Sequence, residues 1–192
     1  MLDNWDRRRV LKALPLTAAG LALSASGTTA QPATSQPPRA LVAFYSRTGN
    51  TAVVAGQIRR ATDATLFAIQ TARPYPEDYE ATVEQARRET TEDYLPPLEK
   101  FVADLGRYDV VYLGMPIWGM TAPPVIRSFL RAHDFSAKLV VPFITHGGYG
   151  LGNSQEVLRA HLPASDLKSP FSMEADQERR TLEQVTGWLE RS

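Results

Sequence analysis

The chain has 192 residues, of which 43% are hydrophobic and 22% charged, a composition that excludes a disordered, collagen-like or multi-span membrane protein. Basic and acidic residues number 21 each, so no net charge draws the chain to nucleic acid or to an anionic membrane. Cysteine is absent, which excludes disulfides, thiolate metal sites and cysteine nucleophiles.

The first thirty residues have the pattern of an export signal. A basic segment runs from Arg7 to Lys12, an apolar stretch follows to about residue 25, and small residues lead up to Ala30. These three regions are typical of a signal peptide, and the alternative is a charged start to a surface helix. The run from Arg7 to Lys12 also resembles the twin-arginine consensus. We therefore predict a twin-arginine signal peptide over residues 1–30 and a periplasmic or secreted protein.

The mature chain is predicted to be one domain. Residues 31–38 are rich in proline, glutamine and serine and predict a linker, and residues 39–192 have the length of a single domain. Cleavage after Ala30 removes four basic and two acidic residues, which leaves 17 against 19 and a net charge of about −2. No membrane association is expected once the signal is removed.

Three unbroken apolar runs are typical of strands buried on both faces of a parallel sheet; they cover residues 40–45, 110–115 and 139–145. Residues 65–70 predict a shorter edge strand, and the weakly patterned residues 165–171 are expected to hold the last strand. Pro142 lies inside the third run, where its missing N–H disfavours a central strand. The length of the run and its place in the chain outweigh this proline, so the strand is retained.

Segments with helical spacing separate these runs. Tyr79, Val83 and Ala86 would share one helix face, and Ile126 and Phe129 would share another. Strands that alternate with helices of this length predict βαβ units and a parallel sheet covered by helices. No internal repeat or second domain is evident.

The loop after the first strand offers donors to an anion; it consists of Ser46, Arg47, Thr48, Gly49, Asn50 and Thr51. Hydroxyl groups and backbone amides at a helix start can hold a phosphate, and the helix dipole adds roughly half a positive charge. The loop is neither a Walker A loop nor a G-x-G-x-x-G loop, and its largely neutral donors suit a monophosphate held without magnesium. Simple capping of the helix by Ser or Thr is the alternative.

This S-x-T-G-N-T loop resembles the phosphate loop of flavodoxins. Three later stretches resemble the same family in the same order, namely residues 75–79, 108–118 and 142–148, so the resemblance covers about residues 39–162. It implies an α/β fold, a flavodoxin-like doubly wound five-stranded parallel sheet of order 2-1-3-4-5 with helices on both faces, and FMN as the cofactor. In such a sheet the ligand lies beyond the carboxyl ends of the strands.

The resemblance assigns the second strand-end loop to the flavin ring; its candidate cofactor-binding residues are Pro116, Ile117, Trp118 and Gly119. Trp118 is expected to pack on the isoalloxazine, and the alternative is a core tryptophan, for which a strand-end loop is a poor position. The resemblance also implies a peptide flip near Gly119 when the flavin is reduced, and glycine lowers its conformational cost.

The third loop is the most glycine-rich stretch of the chain; its candidate cofactor-binding residues are Thr145, His146, Gly147, Gly148 and Gly152. Glycines let backbone amides approach the polar edge of the flavin closely. Tyr149 is a candidate for the second ring face. His146 is either a donor to the flavin or, in the preferred interpretation, an exposed polar residue without a functional partner. His133 and His161 lack partner spacing, so no metal site is predicted.

The same FMN cradle serves two functions, and no catalytic residue is predicted. The first is an FMN-binding electron-transfer protein exported in folded form; the second is an NAD(P)H-dependent FMN oxidoreductase acting on a quinone or other small acceptor. A non-catalytic flavin-binding module would leave the tryptophan loop unexplained. A mature charge near −2 weakens the carrier interpretation, because classical carriers are strongly acidic, but no nicotinamide-site motif is present. The carrier is favoured, with a redox partner protein or a small-molecule acceptor and no nucleic acid.

Overall fold

The computed structural model describes residues 38–174 and 178–191. The predicted signal peptide and nearly all of the predicted linker lie outside the described residues. None of the described helices has the length and apolar character needed to cross a membrane.

The described strands form one parallel sheet in the order β2-β1-β3-β4-β5, and β6 also pairs with β4. Their bounds are β1 (Ala40–Phe44), β2 (Thr65–Ala68), β3 (Val110–Pro116), β4 (Leu139–His146), β5 (Asp166–Leu167) and β6 (Phe171–Glu174). The predicted doubly wound sheet of order 2-1-3-4-5 is therefore confirmed, and its fifth strand is divided into β5 and β6.

Helices cover both faces of this sheet. Within the described residues they are α1 (Asn50–Thr62), α2 (Tyr79–Thr91), α3 (Pro124–Ala132), α4 (Ser154–His161) and α5 (Glu178–Leu189). Successive side chains of a strand point to opposite faces. Leu41 of β1 therefore packs in the same buried cluster as Phe129 of α3, whereas Val42 packs in the cluster of Ile58 of α1 and Val185 of α5.

Pro142 is accommodated in β4 because its missing donor faces a break in the neighbouring strand. Val140 O accepts a hydrogen bond from Lys168 N over 2.9 Å, so the even-numbered residues of β4 direct their backbone groups toward the fifth strand. Pro142 therefore directs its nitrogen toward residues 168–170, which separate β5 from β6. Pro170 likewise has no N–H to donate there.

The break also changes the pairing register of the fifth strand. Val140 pairs with Leu167 but Phe143 pairs with Phe171, so the fifth strand contains one extra residue between the two pairs. A cavity of about 450 Å³ lies between the break and α4, and no residue of the three predicted loops lines it. The last strand was the least clearly patterned element of the sequence because it is interrupted.

Helix α2 buries a different face from the one predicted. Tyr79 and Val83 are exposed, while Thr82 and Glu89 are buried together with Ala86. Thr82 and Glu89 both form hydrogen bonds to the segment that precedes the helix. These polar contacts orient the helix, and hydrophobic spacing cannot indicate them.

Candidate functional site

The loops after β1, β3 and β4 meet at the carboxyl edge of the sheet, where a ligand is expected in this architecture. They are called loop 1 (residues 46–51), loop 2 (residues 116–121) and loop 3 (residues 145–153). Thr51 Oγ1 of loop 1 lies 2.9 Å from Thr145 Oγ1 of loop 3. Both threonines are buried, so their hydroxyl groups hold the two loops together beneath the surface.

Loop 1 presents backbone amides at the start of α1. Ser46 Oγ accepts hydrogen bonds from Gly49 N (3.2 Å) and Ala52 N (3.3 Å), and its own proton is free to be donated outward. The amides of Thr48 and Asn50 form no hydrogen bond with any described residue. Gly49 has a φ of 95°, which favours glycine, and no atom lies within 4 Å of the position that a Cβ would occupy. The loop therefore offers open space and amide donors to an anion.

Arg47 connects loop 1 to the segment before α2. Its Nη2 donates to Glu77 O over 2.7 Å, and its guanidinium lies 5.8 Å from the centre of the Tyr79 ring. The guanidinium of Arg47 thus holds loop 1 against the segment that contains Glu77 and Tyr79.

Loop 2 forms a tight turn that presents Trp118. The backbone groups of Trp118 and Thr121 exchange two hydrogen bonds of 3.1 Å, and both residues between them, Gly119 (φ 54°) and Met120 (φ 65°), have left-handed backbone. These features are typical of a type I′ turn. Ile117 N donates to Thr145 O over 2.9 Å, which ties this loop to the end of β4 beside Pro116.

Loop 3 fits closely against loop 2. Asn153 N donates to Met120 O over 2.9 Å, and a Cβ at Gly152 would lie 1.9 Å from the same oxygen. Gly152 also has a φ of 52°, so glycine is required there for two reasons. Gly147 and Gly148 lie exposed at the start of the loop.

His146 and Tyr149 lie on the outside of loop 3. His146 Nδ1 accepts from Gly148 N (3.1 Å), and its Nε2 lies 3.0 Å from Ser172 Oγ. Tyr149 is 79% exposed. The described residues contain no cluster of three His, Asp or Glu side chains that could hold a metal ion.

Trp118 packs in an aromatic cluster that also contains Tyr45 and Tyr75. Its ring centre lies 5.3 Å from that of Tyr45 and 4.9 Å from that of Tyr75, with interplanar angles of 88° in both pairs. Neither tyrosine was predicted as a site residue. The Tyr75–Tyr79 stretch belongs to the family resemblance, and that resemblance was the available signal.

Tyr75 binds a buried carboxylate. Its hydroxyl donates to Glu89 Oε2 over 2.6 Å, and Gln85 Nε2 donates to Glu89 Oε1 over 2.8 Å. Burial, followed by this hydrogen bond and by the charge of Glu89, raises the pKa of Tyr75 far above its usual value. The phenol therefore remains protonated and continues to donate to Glu89 at physiological pH.

Tyr45 should make the free energy of unfolding depend on pH in the alkaline range. Burial raises the pKa of Tyr45 to about 12, a shift that Arg47 opposes and Glu89 reinforces. An unfolded tyrosine titrates near 10. The neutral phenol therefore stabilises the fold fully below pH ~10, and this contribution disappears as the pH rises through about 12. Between these values the free energy of unfolding should fall more steeply in the wild type than in Tyr45→Phe, by about 1 kcal/mol per pH unit.

Urea unfolding at several pH values measures this difference. Tyr149→Phe is the matched control, because it removes the same hydroxyl group from an exposed tyrosine. Equal slopes for the wild type and Tyr45→Phe would contradict the assignment.

Unpaired polar atoms are concentrated at this edge of the sheet. In the described part of the chain, the buried side-chain atoms without a hydrogen-bond partner are Arg47 Nε, Arg127 Nε and Ser154 Oγ. Arg47 belongs to loop 1, Arg127 donates to Thr121 of loop 2 over 3.0 Å, and Ser154 directly follows loop 3. Because buried polar groups are normally satisfied, their position indicates a site for a polar ligand. Together with the free amides of loop 1, they fit a phosphate-bearing cofactor.

A doubly wound sheet with an anion loop and a partly exposed tryptophan at this edge defines a flavin-binding protein of the flavodoxin type. The chain belongs to the flavodoxin family, whose model matches residues 39–192. This membership confirms FMN as the predicted cofactor.

Solved structures agree with the family assignment. A candidate flavoprotein from Bacteroides eggerthii is 31% identical with a TM-score of 0.70, over 81% of this chain and 98% of that one. A second, from Bacteroides uniformis, is 28% identical with a TM-score of 0.69, over 79% and 99%. A Lactobacillus acidophilus flavoprotein in complex with FMN shares the fold at 18% identity and a TM-score of 0.64, over 77% and 99%. No curated protein sequence matches the chain.

Proposed function

We propose that this protein is an FMN-dependent electron-transfer protein that is exported in folded form. The observation that carries the proposal is the junction of the three loops, which places amide donors, Trp118 and a glycine-rich backbone around one edge of the sheet. No catalytic side chain is needed for electron transfer, since FMN supplies the redox chemistry and the protein binds and orients it.

The residues of the site have distinct proposed roles. The amides of Thr48 and Asn50, with the Ser46 hydroxyl, hold the phosphate at the start of α1. Trp118 packs on the ring system and excludes water from one face. The backbone of loop 3, including Gly147 and Gly148, binds the polar edge of the ring.

Exposed apolar side chains surround this site and support transfer to a partner. Met120 of loop 2 is 49% exposed, Tyr149 of loop 3 is 79% exposed, and Tyr79 beside Arg47 is 64% exposed. Exposed apolar groups close together are typical of interaction surfaces. We propose that a redox partner protein docks here, and a small-molecule acceptor is the second candidate.

An NAD(P)H-dependent FMN oxidoreductase is the alternative function, and the small net charge of the mature chain favours it. Stopped-flow mixing of oxidised holoprotein with NADH or NADPH distinguishes the two. The electron-transfer proposal expects no rapid bleaching of the flavin absorbance. Rapid bleaching would establish the reductase.

Titration of the apoprotein with FMN tests the central proposal. We expect saturable binding of one FMN, quenching of flavin fluorescence and a yellow holoprotein. A properly folded protein that ignores added FMN would refute it.

Export is a separate proposal that depends on Arg7 and Arg8. We expect their double replacement by lysine to block export, since the twin-arginine route requires both guanidinium groups. Arg9→Lys is the control, because Arg9 occupies the variable position of the motif and the charge is retained. Fractionation of cells that express each form measures export, and normal export of the double variant would instead indicate the general secretory route.

A further inference from the structure

Glu89 is a buried acidic group that no predicted role explains. The residue is 8% exposed, and its side chain forms no ion pair with a described residue. The only hydrogen-bond donors to its carboxylate among the described residues are neutral, namely the Tyr75 hydroxyl and the Gln85 amide. Both carboxylate oxygens accept a hydrogen bond from these two donors. A buried carboxylate without a cation is costly to the fold, so its presence calls for a physical explanation.

Glu89 is connected through Tyr75 to Trp118, the ring proposed to contact the flavin. Tyr75 donates to the carboxylate and packs edge-on against Trp118, with ring centres 4.9 Å apart. Tyr75 also contacts Tyr45, at 6.1 Å between ring centres. The hydrogen bond therefore fixes the Tyr75 ring, and that ring in turn supports one side of Trp118.

We propose that Glu89, acting through Tyr75, is a positioning and potential-setting residue of the FMN site. The inference rests on the proposed function and extends it. Glu89 is buried and is linked to Trp118 through Tyr75, and the charge interactions of a buried group are much less screened than those at the surface. A fixed negative charge disfavours the addition of an electron to a nearby group. The carboxylate therefore lowers the reduction potential of the bound flavin, and the Tyr75 hydroxyl partly offsets its charge.

The effect of Glu89 on two nearby tyrosines is consistent with a charge that acts beyond its direct contacts. Its charge contributes to the raised pKa of Tyr75, which it contacts, and also to that of Tyr45, with which it shares no hydrogen bond. Tyr45 also contacts Trp118 directly. The field of the carboxylate thus extends across the aromatic cluster.

Two variants with opposite expected effects test the proposal. Dye-equilibrated reduction of the FMN-loaded protein at pH 8 measures the flavin potentials. Glu89→Gln removes the charge and should shift the potential to a more positive value. Tyr75→Phe keeps the charge but removes a donor, and should shift the potential to a more negative value. A purely structural role would loosen Trp118 in both variants and move both potentials in the same direction.

Glu84→Gln is the matched control, because Glu84 lies on the same helix with a side chain that is 63% exposed. The reduction potential of FMN bound to this variant should equal that of the wild type. Shifts of one sign in both test variants, or no shift beyond the control, would overturn the inference while leaving the proposed function intact. Failure of the wild type to take up FMN would overturn both. If Glu89→Gln does not fold, the sign of the Tyr75→Phe shift decides: no shift or a positive one overturns the inference.

Discussion

Replacement of Trp118 by alanine should weaken FMN binding by about 1–3 kcal/mol, the amount typical of a lost stacking contact. Trp118 is only partly buried and lies on the turn of loop 2, so its ring can contact a ligand at the sheet edge. Titration of the apoprotein with FMN, followed by flavin fluorescence, gives the change in Kd.

Two further variants separate the flavin contact from other effects of the change. Trp118→Phe keeps an aromatic ring against Tyr45 and Tyr75 and should lose less affinity than alanine. Tyr149→Ala removes an exposed ring from the same edge and tests whether that ring covers the second face of the flavin. Unchanged affinity in Trp118→Ala would show that Trp118 does not contact the flavin.

Replacement of Gly152 by alanine should lower the free energy of unfolding by at least about 2 kcal/mol, because two separate costs add. The residue has a φ of 52°, and its new Cβ would lie 1.9 Å from Met120 O. The clash involves backbone rather than a flexible side chain, so loops 2 and 3 must separate. FMN affinity should therefore fall together with stability.

Urea unfolding of the apoprotein measures the stability change. Gly56→Ala in α1 is the matched control, since Gly56 lies inside a helix and its new Cβ would meet only the end of the Arg60 side chain, at 3.6 Å. That substitution should stabilise the protein by about 0.5–1 kcal/mol. Equal effects of the two substitutions would contradict the close contact between loops 2 and 3.

The sequence predicts the centre of the sheet well and its periphery less well. The unbroken apolar runs of β1, β3 and β4 identify strands that are buried on both faces, and their bounds differ from the structure by only one residue. The fifth strand is harder to predict because residues 168–170 interrupt it. The predicted buried face of α2 was wrong, because a buried hydrogen bond to Glu89, rather than apolar spacing, determines which face of the helix packs inward.

The sequence likewise predicts some parts of the candidate site and not others. Loop composition identifies the three loops, because each follows a strand and the carboxyl ends of parallel strands meet at one edge. The aromatic cluster was missed, since Tyr45, Tyr75 and Trp118 are far apart in the chain and no local pattern joins them. Thr51 and Thr145 were predicted as cofactor-binding residues, and the structure places their hydroxyl groups against each other. Residue type indicates a donor, but only the fold shows where that donor points.

The interrupted fifth strand also bears on how readily another chain could pair with this sheet. The outer edge of a sheet exposes unpaired amides and carbonyls, which another chain can use to extend the sheet. Among the described residues, that edge consists of two residues in β5 and four in β6, with Pro170 just before β6. Across the described residues of this edge, a second chain would find no row of donors that continues through the break. The break that accommodates Pro142 therefore also shortens the stretches of this edge that another chain could extend.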